Sequence, residues 1–200
     1  SWSFRELEKY DDALKSINIA IELEPNDLIL RNEKAVILSE SKKYIEAISI
    51  LTDLIRTKPE AYAYLNRGAI KSDLGNKQEA IGDYDRALAI NPKYTDAYYN
   101  RGIAKLDLGN KQEAISNFDR AIAINPQYAK AYYNRGIAKS ALGNKQEAIG
   151  DYDRAIAINP QYAIAYSNRG TTKSDLGNKQ GAIGDYDRAL AINPQDEMAY

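Results

Sequence analysis

Residues 95–128 read TDAYYNRGIAKLDLGNKQEAISNFDRAIAINPQY, and residues 129–162 read AKAYYNRGIAKSALGNKQEAIGDYDRAIAINPQY, with seven differing positions. Residues 61–94 and 163–196 are further copies, so the period is 34. Self-similarity at such a period marks an array of small units, each too small to bury its apolar face alone. Upstream the signal weakens. KKYIEAISIL around Ala47 and Pro59 aligns with KQEAIGDY around Ala80 and Pro92, and EKYDDALKSI around Ala13 and Pro25 aligns again. The expected organisation is a single solenoid over 1–200. It comprises a partial repeat at 1–27, a divergent one at 28–60, the close copies at 61–94, 95–128, 129–162 and 163–196, and the start of another at 197–200. On this reading the chain begins and ends inside a repeat.

Each copy reads as two helices. In the copy at 95–128 the first is expected from about Asp96 to Leu108, followed by Gly109, the residue best suited to the left-handed position after a helix C-terminus. Asn110 then reads as an N-cap, with Glu113 three residues on completing a capping box. Ala114, Ile115, Phe118, Ala121 and Ile122 share one face of the second helix at a 3.6-residue period, and Asn125-Pro126 ends it. No stretch alternates with period two, so no strand is expected.

Composition narrows the chemistry. The chain carries 27 Lys plus Arg against 28 Asp plus Glu, a net charge of -1, with no His and no Cys. That excludes a disulfide framework, a thiol nucleophile, a histidine base and a zinc site of the usual nitrogen and sulfur kind. A near-neutral chain lacks the basic footprint of a nucleic-acid binder, so no nucleic-acid partner is expected. No run of ~18 apolar residues occurs, so neither a membrane span nor an N-terminal signal peptide is expected. Lack of cysteine is compatible with reducing and oxidising compartments alike.

Tyr98, Gly102, Gly109, Ala114, Phe118, Ala121 and Pro126 fall at the offsets of the tetratricopeptide repeat, and the resemblance covers nearly the whole chain. It implies an all-α fold: an α-solenoid, a right-handed superhelix of antiparallel helix pairs, whose first helices line the concave face. Two departures stand out. Arg67, Arg101, Arg135 and Arg169 precede the first-helix glycine where the family usually has an apolar residue. Lys71, Lys105, Lys139 and Lys173 stand where it usually has an aromatic. Burying unpaired cations would cost several kcal/mol each, so their heads are expected to reach carboxylates such as Asp83 and Asp85, or Asp151 and Asp153. A basic stripe for an acidic ligand is the functional alternative, disfavoured by the balanced charge. Gly82, Gly150 and Gly184 lie inside second helices at a cost of about 1 kcal/mol each; close packing must offset this, or single repeats are weak.

No catalytic constellation emerges, and no enzyme activity, cofactor or metal is expected. The Asp-x-Asp pairs point apart on a helix, where a metal needs convergent oxygens. No phosphate loop of the GxxxxGK[ST] type occurs. Binding remains. The stripe expected to face the groove is Tyr99, Ile103 and Leu106 in one copy. In the others it is Leu65, Ala69 and Ser72; Tyr133, Ile137 and Ser140; and Ser167, Thr171 and Ser174. Asp96, Lys130 and Ile164 start these helices and vary from copy to copy. Asn66, Asn100, Asn134 and Asn168 recur at one position, which resembles the asparagine ladder of O-linked N-acetylglucosamine transferase repeats. That resemblance implies a grip on the backbone of an extended polypeptide, since a carboxamide offers both donor and acceptor. The alternative is that these asparagines cap or brace neighbouring helices. Lys130 also matches one element of the carboxylate clamp of co-chaperone repeats, but Asn134, Leu65 and Ala69 stand where the rest is required.

Four net hydrogen bonds contribute roughly 2–6 kcal/mol, while micromolar binding needs about 8. The expected partner is therefore a polypeptide with apolar or aromatic anchors that bury Tyr99, Ile103 and Tyr133. The leading reading is a noncatalytic protein-interaction scaffold binding a peptide or partner protein in its concave groove. The alternatives are a self-associating structural module that stacks through uncapped ends, with Trp2–Leu7 as the remnant of a first helix, and a substrate-recruiting arm of a larger protein. The resemblance leaves the compartment open between cytoplasm and cell envelope.

Overall fold

The computed structural model describes residues 4–194, with side chains from residue 9 onward. The described residues form eleven helices and no strand. They are α1 (Phe4–Leu23), α2 (Leu28–Glu40), α3 (Tyr44–Thr57), α4 (Ala61–Asp73), α5 (Lys77–Ile90), α6 (Thr95–Asp107), α7 (Lys111–Ile124), α8 (Ala129–Ala141), α9 (Lys145–Ile158), α10 (Ala163–Asp175) and α11 (Lys179–Ile192). From α2 onward they alternate between first helices of 13 residues and second helices of 14, packed as antiparallel pairs. The chain divides into two compact units, 1–97 and 98–200, the division falling within α6.

The turn inside each pair follows from the expected glycine. Gly109 has φ +81°, its N–H donates to the Leu106 carbonyl at 2.9 Å, and the Asn110 N–H donates to the Lys105 carbonyl at 2.9 Å. These are the two hydrogen bonds of a Schellman ending, which satisfy carbonyls that a helix terminus otherwise leaves open. In the divergent repeat Lys42 takes this place at φ +62°, with the same two bonds from Lys42 to Ser39 and from Lys43 to Leu38. After α5, α7 and α9 the Asn side chain folds forward: Asn125 Oδ1 accepts from the Gln127 N–H at 3.0 Å, and Asn91 and Asn159 do the same. This tight turn across Asn125-Pro126 leads into the next helix.

Three local expectations are corrected. The first helix runs Thr95–Asp107, one residue earlier than Asp96–Leu108 at each end. Asn76, Asn110 and Asn144 precede their helices without a side-chain capping bond, and no capping box forms. The glutamate it requires turns elsewhere: Glu113 pairs with Lys105 at 2.8 Å, as Glu79 does with Lys71 and Glu147 with Lys139. In the last copy Gly181 replaces that glutamate, and there Asn178 does cap, accepting from the Gly181 N–H at 2.9 Å. Finally, from Phe4 the N-terminal segment is not a separate helix remnant. It forms the first turns of α1, because residues 4–10 contain no Gly, Asn or Pro to break the helix. Trp2 and residues 197–200 lie outside the described residues.

Within a pair the helices meet at the first-helix glycine. A Cβ added at Gly136 would sit 2.6 Å from the Tyr152 ring, and one at Gly102 would sit 2.6 Å from Phe118. Ala114, Ala121, Ala148 and Ala155 are fully buried beside these rings, so small residues set a close approach and one aromatic fills it. The divergent repeat instead packs with aliphatics: Leu38, Leu51, Leu54 and Ile70 join Ala35, Ala47 and Ala63 in one cluster. By contrast, a Cβ at Gly82, Gly150 or Gly184 would meet nothing within 4 Å. The expected close packing is therefore absent at these three glycines.

Candidate functional site

The repeated cations are paired within the protein. Arg67 grips Asp83 in a two-pronged bond, Nε to Oδ2 at 3.0 Å and a terminal nitrogen to Oδ1 at 2.6 Å, while Lys71 reaches Asp83 Oδ2 at 3.0 Å. Arg135 and Lys139 hold Asp151 in the same way, and Arg169 and Lys173 hold Asp185. Asp83, Asp151 and Asp185 each keep 5% of their surface, so each buried carboxylate has two cations to compensate its lost hydration. Arg135 spans three helices, also donating to Asp119 of α7 at 2.6 Å, and Arg169 likewise reaches Asp153. Burial would lower Arg135, but its bonds to Asp151 and Asp119 outweigh that and hold the guanidinium above its ordinary range. Each arginine also lies over the tyrosine three residues before it, Arg135 at 5.3 Å from the Tyr132 ring centre. At 95–128 the carboxylate is absent: Asn117 takes its place, accepting from Arg101 Nε at 2.7 Å and donating to the Glu113 carbonyl at 2.7 Å.

The repeated asparagines lie on the first helices. Asn134 Nδ2 donates to the Tyr99 hydroxyl at 3.1 Å and to the Lys130 carbonyl at 2.9 Å. Asn168 Nδ2 donates to the Tyr133 hydroxyl at 2.7 Å. Asn66 Nδ2 donates to Asn32 Oδ1 at 2.8 Å. The donor half of each of these three carboxamides thus ties one repeat to the one before it. Tyr99 and Tyr133 are packed: Tyr99 against Phe118 and Tyr128, Tyr133 against Tyr152 and Tyr162. Tyr133 keeps 8% of its surface. Burial pushes Tyr133 and Tyr152 up to about 12, opposed at Tyr133 by Asn168 and at Tyr152 by Thr172. Ile103, Leu106 and Ile137 are half-buried, and Lys130 is exposed.

One cleft collects several of these residues. Ile137, Ser140 and Ala141 of α8, Lys145 and Tyr152 of α9, and Asn168, Thr171, Thr172 and Asp175 of α10 enclose about 320 Å³. Asn168, Ile137, Ser140 and Thr171 belong to the positions singled out in the sequence. Lys145, Tyr152, Thr172 and Asp175 were not singled out. Lys145 Nζ pairs with Asp175 Oδ2 at 2.8 Å, 30 residues on, as Lys111 Nζ reaches the Ala141 carbonyl at 3.0 Å. The change from Ala141 to Asp175 was the available signal. Among the described residues no acidic cluster suits a metal, and no helix is long and apolar enough to cross a membrane.

The class is that of tandem antiparallel helix pairs. Models of the tetratricopeptide repeat match residues 1–62, 61–94, 99–163 and 133–197, and the chain belongs to that family. Its members are protein-interaction scaffolds and are typically noncatalytic. The chain is 29% identical over 87 residues to human tetratricopeptide repeat protein 6, a match covering 44% of this chain and 17% of that one. It thus spans under a fifth of that relative's length. Among solved structures, MamA is 27% identical with a TM-score of 0.74, over 79% of this chain and 93% of that one. YrrB, a tetratricopeptide-repeat protein with an unusual peptide-binding site, is 23% identical with a TM-score of 0.73, over 93% and 96%. PilW, a type IV pilus biogenesis factor, shares the fold at a TM-score of 0.85 and 23% identity, over 98% and 91%.

Proposed function

We propose that the chain is a noncatalytic scaffold that binds an extended polypeptide along the face of its first helices. The observation that carries this reading is the α8–α9–α10 cleft. It places Ile137 and Asn168, predicted from the repeat pattern, together with unrelated hydroxyls in one recess of about 320 Å³. Asn66, Asn100, Asn134 and Asn168 contribute acceptor oxygens to the ligand backbone, since three of them use their amide nitrogen within the protein. Ile103, Leu106 and Ile137 contribute apolar area at about 25 cal/mol per Å² removed from water. Lys130 adds an exposed charge beside Asn134. Tyr99 and Tyr133 act mainly as supports, being packed on Phe118 and Tyr152. The YrrB likeness supports the same choice of ligand class.

Site-specific photo-crosslinking tests this. A benzophenone amino acid at Ile137 should capture a partner polypeptide, and the same group at Gln146 on α9 should not. Capture from Gln146 alone would move recognition off this face. A second reading, self-association through α11, is favoured by Ile183, which is 52% exposed where the equivalent Ile81 and Ile115 are 4% and 8% exposed. A mass that rises with concentration in light scattering, and falls back in Ile183→Glu, is its signature. A recruiting role within a longer protein is compatible with either.

A further inference from the structure

The lining of the α8–α9–α10 cleft differs from its counterpart one repeat earlier in a directed way. The nine equivalent positions of α6, α7 and α8 are Ile103, Leu106, Asp107, Lys111, Phe118, Asn134, Ile137, Ala138 and Ala141. Moving one repeat on, Leu106 becomes Ser140, Phe118 becomes Tyr152, Ile137 becomes Thr171 and Ala138 becomes Thr172. Four positions gain a hydroxyl in a chain whose repeats are otherwise nearly identical. Two of those side chains also shrink, Leu to Ser and Ile to Thr, which opens space.

The two threonine hydroxyl protons are already committed. Thr171 Oγ1 donates to the Ser167 carbonyl at 3.1 Å and accepts from the Tyr186 hydroxyl at 3.2 Å, and Thr172 Oγ1 donates to the Asn168 carbonyl at 2.8 Å. Asn168 Nδ2 donates to Tyr133. Asn168 Oδ1 therefore offers lone pairs while its Nδ2 and both threonine protons are in use, and an occupant must bring a donor. Ile137, Ala141 and the Tyr152 ring supply apolar walls, so the occupant must also bring an apolar body. Lys145 and Asp175 neutralise each other at 2.8 Å, which leaves no unpaired charge to match a third one. A neutral, flat side chain ending in a hydroxyl meets all three conditions.

We infer that this cleft is a subsite for a tyrosine side chain of an extended peptide, its ring against Ile137 and Ala141 and its phenol donating to Asn168 Oδ1. The inference rests on the polypeptide-binding reading above and names the side chain that reading left open.

The test is selection from a random-sequence peptide display library on the parent chain. The same selection is run on Ser140→Leu/Thr171→Ile/Thr172→Ala, which carries the residues of the preceding cleft at these three positions. The parent is expected to enrich peptides with tyrosine at one fixed position, and the variant to replace it with an aliphatic residue. A selected peptide remade with Tyr→Phe should bind the parent about tenfold more weakly, the loss of one net hydrogen bond. This last measurement needs no protein variant. A parent consensus without tyrosine, or equal affinity for the Phe peptide, overturns the subsite and leaves the groove standing. Failure of either protein to enrich any peptide above a helical control protein overturns the groove reading, and the subsite with it.

Discussion

Asp151 and Asn117 occupy one position in successive repeats, and they separate what charge contributes from what shape contributes. Asp151 compensates Arg135 and Lys139; Asn117 keeps the hydrogen bond to its arginine but carries no charge. Asp151→Asn is expected to lower stability by about 1–3 kcal/mol, read from urea unfolding, because a buried carboxylate with two cations is exchanged for an amide. Asn117→Asp should raise it by about 1 kcal/mol, since Arg101 and Lys105 then gain the carboxylate their counterparts have. No change in either would mean that the pairs only balance their desolvation. Ser167 gives a smaller test. Its hydroxyl is buried at 2% exposure with no hydrogen-bond partner among the described residues, so Ser167→Ala should stabilise by roughly 0.5–1 kcal/mol. That the cations seek carboxylates was legible in the sequence, from the cost of burying them bare. Which carboxylate each takes was not, because Asp83 and Asp85 differ only in the direction their helix turns them.

Turns and glycines decide at the scale of the element. Lys42 holds a left-handed φ of +62° that Gly109 and its equivalents adopt without steric cost. Lys42→Gly should therefore raise the midpoint of thermal unfolding, by roughly 0.5–1 kcal/mol of stability. The glycines within second helices predict the same sign for a different reason. Gly82, Gly150 and Gly184 face open space, and Ser116 already occupies this position in one repeat. Changing all three to Ala should add about 1 kcal/mol each through helix propensity alone, visible as a higher melting temperature by circular dichroism. Gly136→Ala should do the opposite, because its Cβ would meet the buried Tyr152 ring at 2.6 Å. Helix existence, the glycine turns and the Asn-Pro endings were all readable locally. The missing capping box was not, since Glu113 finds Lys105 only when the two helices of a pair are brought together.

At the scale of the whole molecule, buried tyrosines in tilted ring contacts give stability a pH signature. Burial raises Tyr133, Tyr152 and Tyr162 to about 12, against about 10 for a free side chain. The native state then holds these protons more tightly than the unfolded state does. Their contribution is full below pH 10 and is lost as pH rises from 10 toward 12. Alkaline unfolding followed by far-ultraviolet circular dichroism should set in within this window, and ionisation absorbance should rise with loss of helix rather than before it. Early ionisation without unfolding would show that the rings are open to water. The sequence by itself determined the period, the helix pairs, the turns and the family, because each depends on residues close along the chain: a glycine at a left-handed position, a proline that stops a helix, an apolar stripe on one face. Only the tertiary structure decided that Asn134 and Asn168 donate to tyrosines one repeat earlier, that Tyr133 is buried against Tyr152 and Tyr162, and that four added hydroxyls converge on one cleft. The asparagine–tyrosine bonds join side chains 35 residues apart. Their distances are set by how closely Gly136 lets one helix approach another, a quantity no local pattern contains.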